Sequence, residues 1–144
     1  MQSMLMHTDS LAIGLPAGPA IGNITPDLLR MVQASGISLG HLNATMIGST
    51  GSLTAIEFES GVIQDLIDAI NRLAPPDGDY AHEEAWHDGN GHSHVQAAII
   101  GPSINLPVRD GRLRLGTWQQ VVAINHDNRR RTRTVEVTIM GLAG

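Results

Sequence analysis

Residues 112–141 read RLRLGTWQQVVAIN (112–125), HDNRRR (126–131) and TRTVEVTIMG (132–141). The first and last of these are rich in β-branched residues. TRTVEVTIMG alternates polar and apolar side chains along its length, whereas HDNRRR is polar and turn-forming. This spacing predicts a long strand, a turn and a last strand. Immediately upstream, INLPV (104–108) and the RDG turn (109–111) predict a further strand and a hairpin.

Working back toward the N-terminus, SLAIGL (10–15) reads as a first strand followed by a Pro/Gly loop. ITPDLLRMVQASG (24–36) carries helix signals: Thr25 as N-cap, Pro26 at the first helical position, Asp27 toward the helix dipole and Gly36 as the stop. HLNATMIGSTGSLTAIEFES (41–60) reads as two β segments joined through small residues, with Leu42, Ala44, Met46, Leu53 and Ala55 as the apolar positions. GVIQDLIDAINRLA (61–74) is an amphipathic helix with Ile63, Leu66, Ile67 and Ile70 inward and Asp65 and Asp68 outward; PPDGD breaks it. The histidine-rich segment after it reads as a loop, with Ser93 capping a short helix whose apolar positions are Val95, Ala98 and Ile99. Hairpins mixed with two or three helices point to an α+β fold over a single domain, residues 1–144, rather than a doubly wound α/β fold.

Composition narrows the function classes. The 144 residues are 42% apolar but only 3% aromatic, so the core must be aliphatic. No apolar run approaches the length of a membrane span, and MQSMLMHTDS lacks the basic start and long apolar stretch of a signal peptide. A cytoplasmic location without membrane partners is expected. There are no cysteines, which removes thiolate ligands and cysteine nucleophiles, and all nine basic residues are arginine, which removes Schiff-base chemistry. A net charge of −5 argues against general nucleic-acid binding. Seven of the nine arginines nevertheless lie after residue 108, and such a cluster can hold a phosphate ester.

Five groups of residues can carry chemistry. His82, His87, His92 and His94 fall within DYAHEEAWHDGNGHSH; neutral imidazole binds transition metals, and Glu83, Glu84 and Asp88 could add oxygens. The spacing matches neither a HExxH helix nor a zinc finger, so a solvated loop is the alternative. Glu57 and Glu59 sit at i, i+2 and could hold Mg²⁺ or act as acid and base; alternatively one faces solvent and the other caps the next helix. GSTGS (48–52) offers backbone N–H groups and hydroxyls to an anion, or is only a bend between strands. Trp118 suits a core or interface anchor, and Gln119 beside it could orient a ligand. Arg131 and Arg133 share one side of a strand and could clamp a phosphate, unless the run is simply solvated.

Taken in order, these residues resemble one family. They are Gly48-Ser49-Thr50, Glu57-Phe58-Glu59, Tyr80-x-His82, Asp88-x-Asn90-x-x-Ser93-His94, Gly101-Pro102-Ser103, Pro107-Val108, Gly111-x-Leu113, Leu115-Gly116-Thr117-Trp118-Gln119 and Arg131-x-Arg133. The sequence looks like the YjbQ-like family, known as the secondary thiamine-phosphate synthase enzymes, from about Ile24 to Gly141. The resemblance implies a β-sandwich-like α+β core with mixed or antiparallel sheets and a homotrimer with sites near subunit interfaces. It further implies a weak activity joining hydroxymethylpyrimidine diphosphate to thiazole phosphate with release of pyrophosphate. Carried over residue by residue, it implies Glu57, His82 and His94 as catalytic residues. Ser49, Thr50, Ser93, Gln119, Arg131 and Arg133 would bind a small phosphorylated substrate, and His82, His92 and His94 a divalent metal, Zn or Mg. One departure stands out: Gly48 occupies the place of a histidine that opens a HTTA-like motif in many members. His92, which many members lack, is the candidate to compensate. Two other readings of the same residues are a metal-dependent hydrolase of a small phosphorylated molecule and a non-catalytic trimer stapled by metal.

Overall fold

The alternating segment at the C-terminus forms the spine of the larger sheet. In the computed structural model, which describes residues 3–144, the elements in chain order are β1 (Leu5–Leu15), β2 (Ala20–Asn23), α1 (Thr25–Ser35), β3 (Ile37–Ile47), β4 (Gly51–Glu57), α2 (Ser60–Leu73), α3 (Ala81–Trp86), α4 (Gly91–Ile100), β5 (Ser103–Arg109), β6 (Arg112–Leu113), β7 (Gln119–Asn125) and β8 (Arg131–Ala143). Five strands form one sheet in the order β1-β8-β3-β5-β6, and three form a second in the order β2-β7-β4. Every strand pair is antiparallel. The α+β reading with antiparallel sheets holds; the helices number four among the described residues rather than two or three. None of them is long and apolar enough to cross a membrane.

Burial follows the predicted alternation in the large sheet. Val135, Val137 and Ile139 of β8 pack with Leu42, Ala44 and Met46 of β3, and Leu28 and Val32 of α1 join the same cluster. The small sheet differs. Val121, Val122, Ala123 and Ile124 are successive and all fully buried. Val121 and Ala123 face the large sheet, while Val122 and Ile124 pack with Ile70 of α2. A strand covered on both faces reads as a continuous apolar run, as VVAI does.

Several local expectations need correction. Thr25 lies inside α1 rather than capping it: Ile24 is the N-cap, the Asn23 side chain accepts the Thr25 N–H, and the Thr25 hydroxyl instead accepts the Val121 N–H at 2.7 Å. Residues 112–125 are not one strand. Only Arg112–Leu113 pairs with β5, and a turn intervenes in which Gly116 N–H donates to the Gln119 side chain. The last two strands also form no hairpin, because β7 and β8 belong to different sheets. The same is true of β3 and β4, so the small-residue joint GSTGS and the turn at 126–130 both carry the chain from one sheet to the other.

Gly40 and Gly141 lie opposite each other in the β3–β8 ladder. A Cβ on Gly40 would fall 2.1 Å from the Met140 carbonyl oxygen, and one on Gly141 would fall 2.2 Å from that of Leu39. Backbone cannot yield as a side-chain tip can. Gly40→Ala is therefore expected to destabilise the fold by about 2 kcal/mol, read as a lower urea midpoint at unchanged slope.

Candidate functional site

The β3–β4 and β7–β8 crossings meet at one end of the sandwich. His126 N–H donates to the Thr50 carbonyl at 2.8 Å, and Gly51 pairs with Asn125 at the adjoining strand ends. This junction brings GSTGS, the 126–130 turn and the start of β8 together.

Asp127 is its centre, buried to 3% exposure. Its Oδ2 accepts from the Thr50 hydroxyl and from Arg131 Nε, both at 3.1 Å; its Oδ1 accepts from Arg129 N–H at 3.0 Å and Asn90 Nδ2 at 3.2 Å. Burial alone would push this carboxyl up, but the Arg129 N–H, Thr50, Asn90 and the Arg131 charge outweigh it and hold it below its ordinary value. Arg133 is also buried. Its Nε and Nη2 donate to Asn125 Oδ1, and Nη2 donates to the Thr50 hydroxyl. Arg133, Thr50, Asp127 and Arg131 thus form one hydrogen-bonded chain. Nη1 of Arg133 makes none of these bonds and faces Gly48.

The histidine-rich segment forms two helices. Both oxygens of Glu83 accept backbone N–H groups, from Gly89 at 2.7 Å and Gly91 at 2.9 Å, which joins α3 to the start of α4. The helix therefore begins at Gly91, and Ser93 is not its cap. Fully buried, Ser93 places its hydroxyl 2.7 Å from the His126 carbonyl oxygen and 2.8 Å from Asn90 Oδ1, where it braces the junction rather than facing a substrate.

Helical geometry also separates the two histidines of HSH. Residues i and i+2 share a side in a strand but point about 200° apart on a helix. His94 turns out toward His82, with ring centroids 4.8 Å apart. His92 turns in, beneath Tyr80, and is 5% exposed; its Nδ1 has no partner of good geometry, only a loose approach to the Gly89 backbone. Burial shifts its pKa down, so it sits neutral in the interior. It does not join His82 and His94, and it does not replace a side chain at position 48. His87 lies outside the cluster as the exposed C-cap of α3.

The outward histidines meet a carboxylate. His82 Nε2 lies 3.0 Å from Asp88 Oδ1. The Asn90 N–H, then His82 and His94, hold the Asp88 carboxyl below its ordinary value. One ligand atom each from His82, Glu83 and Asp88 falls within 4.8 Å of the others, a grouping that could close around a cation. Beside this group opens a cleft of about 430 Å³, lined by Ser49, Thr50, Asp88, Asn90, His94, Asp127, Arg131, Thr132 and Arg133. An imidazole, carboxylates and two guanidinium groups lining one cleft can bind a cation and a phosphoryl group side by side.

Glu57 and Gln119 are not in the cleft. They pair with each other at the opposite end of β4 and β7, six residues from Gly51, or about 20 Å along an extended strand. Glu59 caps α2 by accepting from Gly61 and Val62 N–H. Trp118 stands at the same far end, 73% exposed, and so is no core residue of the chain.

Sequence reasoning missed Asp127, Asn125 and His126, and named Asn90 only as part of a motif, without a role. Asp127 had a usable signal, since it is the one acid in the arginine-rich 126–133 stretch. His126 had none. It is fully buried, with Nδ1 2.9 Å from Gln96 Oε1 and Nε2 2.7 Å from the Ser52 hydroxyl. The Gln96 oxygen can only accept, so Nδ1 carries the proton and Nε2 accepts from Ser52. The order resembles a nucleophile, base and orienting group, but Ser52 is 0% exposed and out of reach of any substrate.

Residues 10–142 match the family pattern described as "UPF0047 protein YjbQ-like". A UPF0047 protein of Methanothermobacter thermautotrophicus is 30% identical over 138 residues, covering 96% of this chain and 94% of that protein. One from Mycobacterium tuberculosis is 37% identical over 95 residues, covering 65% of this chain and 71% of that protein. Among solved structures, a protein from Sulfolobus solfataricus described as of unknown function superposes with a TM-score of 0.92 at 29% identity, over 96% of this chain and 99% of that one.

Proposed function

Because the chain belongs to the UPF0047, YjbQ-like family, we propose that the cleft at the sheet junction is the active site of an enzyme acting on small phosphorylated substrates, with thiamine-phosphate formation as its reaction. The observation that carries this reading is the Arg133–Thr50–Asp127–Arg131 chain sharing one cleft with His94 and Asp88, both of which contact His82. Asp127 fixes Arg131 and, through Thr50, Arg133. Their remaining N–H groups are thereby aimed at phosphoryl oxygens before any substrate arrives.

In that reaction the bond between the pyrimidine methylene and the diphosphate breaks, and a bond to the thiazole nitrogen forms. The pyrimidine leaves as a stabilised cation, so no strong nucleophile is required, and Ser52 can remain sealed. The main demand is to neutralise the departing diphosphate, which Arg131 and Arg133 meet from one side. The remaining ligand atoms fit a divalent cation: His82, Asp88 and Glu83 converge, and the His94 ring lies tilted against that of His82. When bound there, Zn²⁺ or Mg²⁺ would supply further charge neutralisation. Glu57 and Gln119, remote within the protomer, would take part only from a neighbouring copy. Exposed Trp118, Val95 and Ile99 offer apolar surface for the homotrimer we include in this reading.

Incubation with both precursors is expected to give one pyrophosphate per thiamine phosphate formed. Pyrophosphate released without coupling would instead favour hydrolysis, the second reading, to which the His82–Asp88 pair beside an open cleft also lends itself. His94→Ala is expected to lower turnover at least about tenfold with little change in Tm, because His94 is half-buried and braces no core group. Unchanged turnover together with unchanged metal content in that variant would remove the histidines from the site.

A further inference from the structure

The phosphate cleft does not stop at Ser49 and His94. Both residues also line a second groove of about 370 Å³ on their other side. Its remaining lining residues are Gly48, Gly51, Ala97, Ala98 and Pro102, so apart from Ser49 and His94 the side chains that line it are small and apolar.

The groove is built rather than incidental. One wall is α4 with the Gly101–Pro102 segment that follows it, and the other is the β3–β4 joint. Backbone hydrogen bonds fix them together: Met46 N–H donates to the Pro102 carbonyl at 2.7 Å, and Leu53 N–H to that of Gly101 at 3.1 Å. Small residues keep the space open. Gly48 has φ 118, a conformation that favours glycine, and a Cβ there would stand 3.0 Å from Arg133 Nη1. The absence of a side chain at position 48 therefore uncovers the one Arg133 nitrogen not committed to Asn125 or Thr50. It also joins the charged cleft to the apolar groove.

Resting on the phosphate-binding reading above, we infer that the groove seats the organic part of a phosphate ester, a compact apolar or aromatic group, while Arg131 and Arg133 hold its phosphate. Aliphatic walls give a ring dispersion contacts and desolvation. They offer few partners to sugar hydroxyls, which would be buried without compensation. Gly48 and Ala98 are the residues that set the permitted size: one by leaving the passage open, the other by leaving the floor low.

Titration calorimetry with inorganic phosphate, phenyl phosphate and glucose 1-phosphate, each with the same divalent cation present, tests this on the intact protein. Phenyl phosphate is expected to bind about tenfold more tightly than inorganic phosphate, and glucose 1-phosphate no more tightly than inorganic phosphate. Ring-proton NOEs should appear to the methyl groups of Ala97 and Ala98. Ala98→Phe, on the exposed side of α4, should remove the preference for the phenyl ester. Equal affinities for phenyl and inorganic phosphate in the parent protein, or ring NOEs confined to other residues, would overturn the inference. Failure of the underlying phosphate reading is a different result: none of the three ligands binds, or Arg133→Ala alters none of their affinities.

Discussion

Arg133→Ala is expected to lower kcat/KM for a diphosphate substrate by about 1000-fold, and Arg133→Lys to recover only part of the loss. The guanidinium is buried and already oriented by Asn125 and Thr50, so it meets a phosphoryl group with little reorganisation. Lysine keeps the charge but cannot donate to Asn125, Thr50 and a phosphate in one plane. Removing the fork also leaves the Thr50 hydroxyl oxygen without a donor and Asn125 Oδ1 with only the Asp127 N–H, at a cost of about 1–3 kcal/mol in stability. Pyrophosphate affinity, measured by calorimetry well below each variant's Tm, separates the two effects. A folded Arg133→Ala protein that binds pyrophosphate as the parent does would take Arg133 out of the site.

Acidification is expected to remove roughly 3 kcal/mol of stability between pH 6.5 and pH 4, ahead of general carboxylate protonation. The main source is His126, and His92, whose pKa burial also lowers, adds in the same direction. Its burial, with Arg133 and His92 nearby, lowers its pKa from 6.5 to about 4. The unfolded chain therefore takes up a proton near pH 6.5 that the native protein refuses until about pH 4. The stability is fully present above pH 6.5 and drains away as pH falls through that window. Asp127 acts lower down: its native carboxyl titrates below its ordinary value, so its contribution is lost only beneath that range. Urea midpoints collected from pH 7.5 to pH 4 would trace the loss. His126→Gln should start lower and flatten the slope, whereas an unchanged slope would assign the acid sensitivity to another group.

The elements that were legible in the sequence carry their reasons within a short window. TRTVEVTIMG alternates because its two faces differ in wetness, and Leu42, Ala44 and Met46 do the same on β3. Gly36 ends α1 in a left-handed conformation, as its position suggested. In α4 the pattern misleads. Its buried face is His92, Ser93, Gln96 and Ala97, and its exposed face carries Val95 and Ile99. That inversion is stable only because Gln96 meets Asn71, the Ala74 carbonyl and His126, partners supplied by other parts of the chain. No local periodicity encodes such partners.

The site was half legible for the same reason. Arg131, Arg133, Thr50, Ser49, His82 and His94 were identifiable by residue type and order, and the structure gathers them around one cleft. The positions of Glu57, Gln119 and Ser93 depend on strand register and helix phase. Whether two adjacent strands form a hairpin or switch sheets is likewise decided by the packing of the whole sandwich.

The placement of the crossings has a practical side. β8 leaves the cleft at Arg131 and runs to Ala143, twelve steps or about 40 Å away, and β1 returns beside it so that Leu5 is partnered by Gly141. Both described ends of the chain therefore lie at the pole opposite the cleft. A tether or surface linkage attached beside Leu5 or Ala143 would leave the cleft facing the solution.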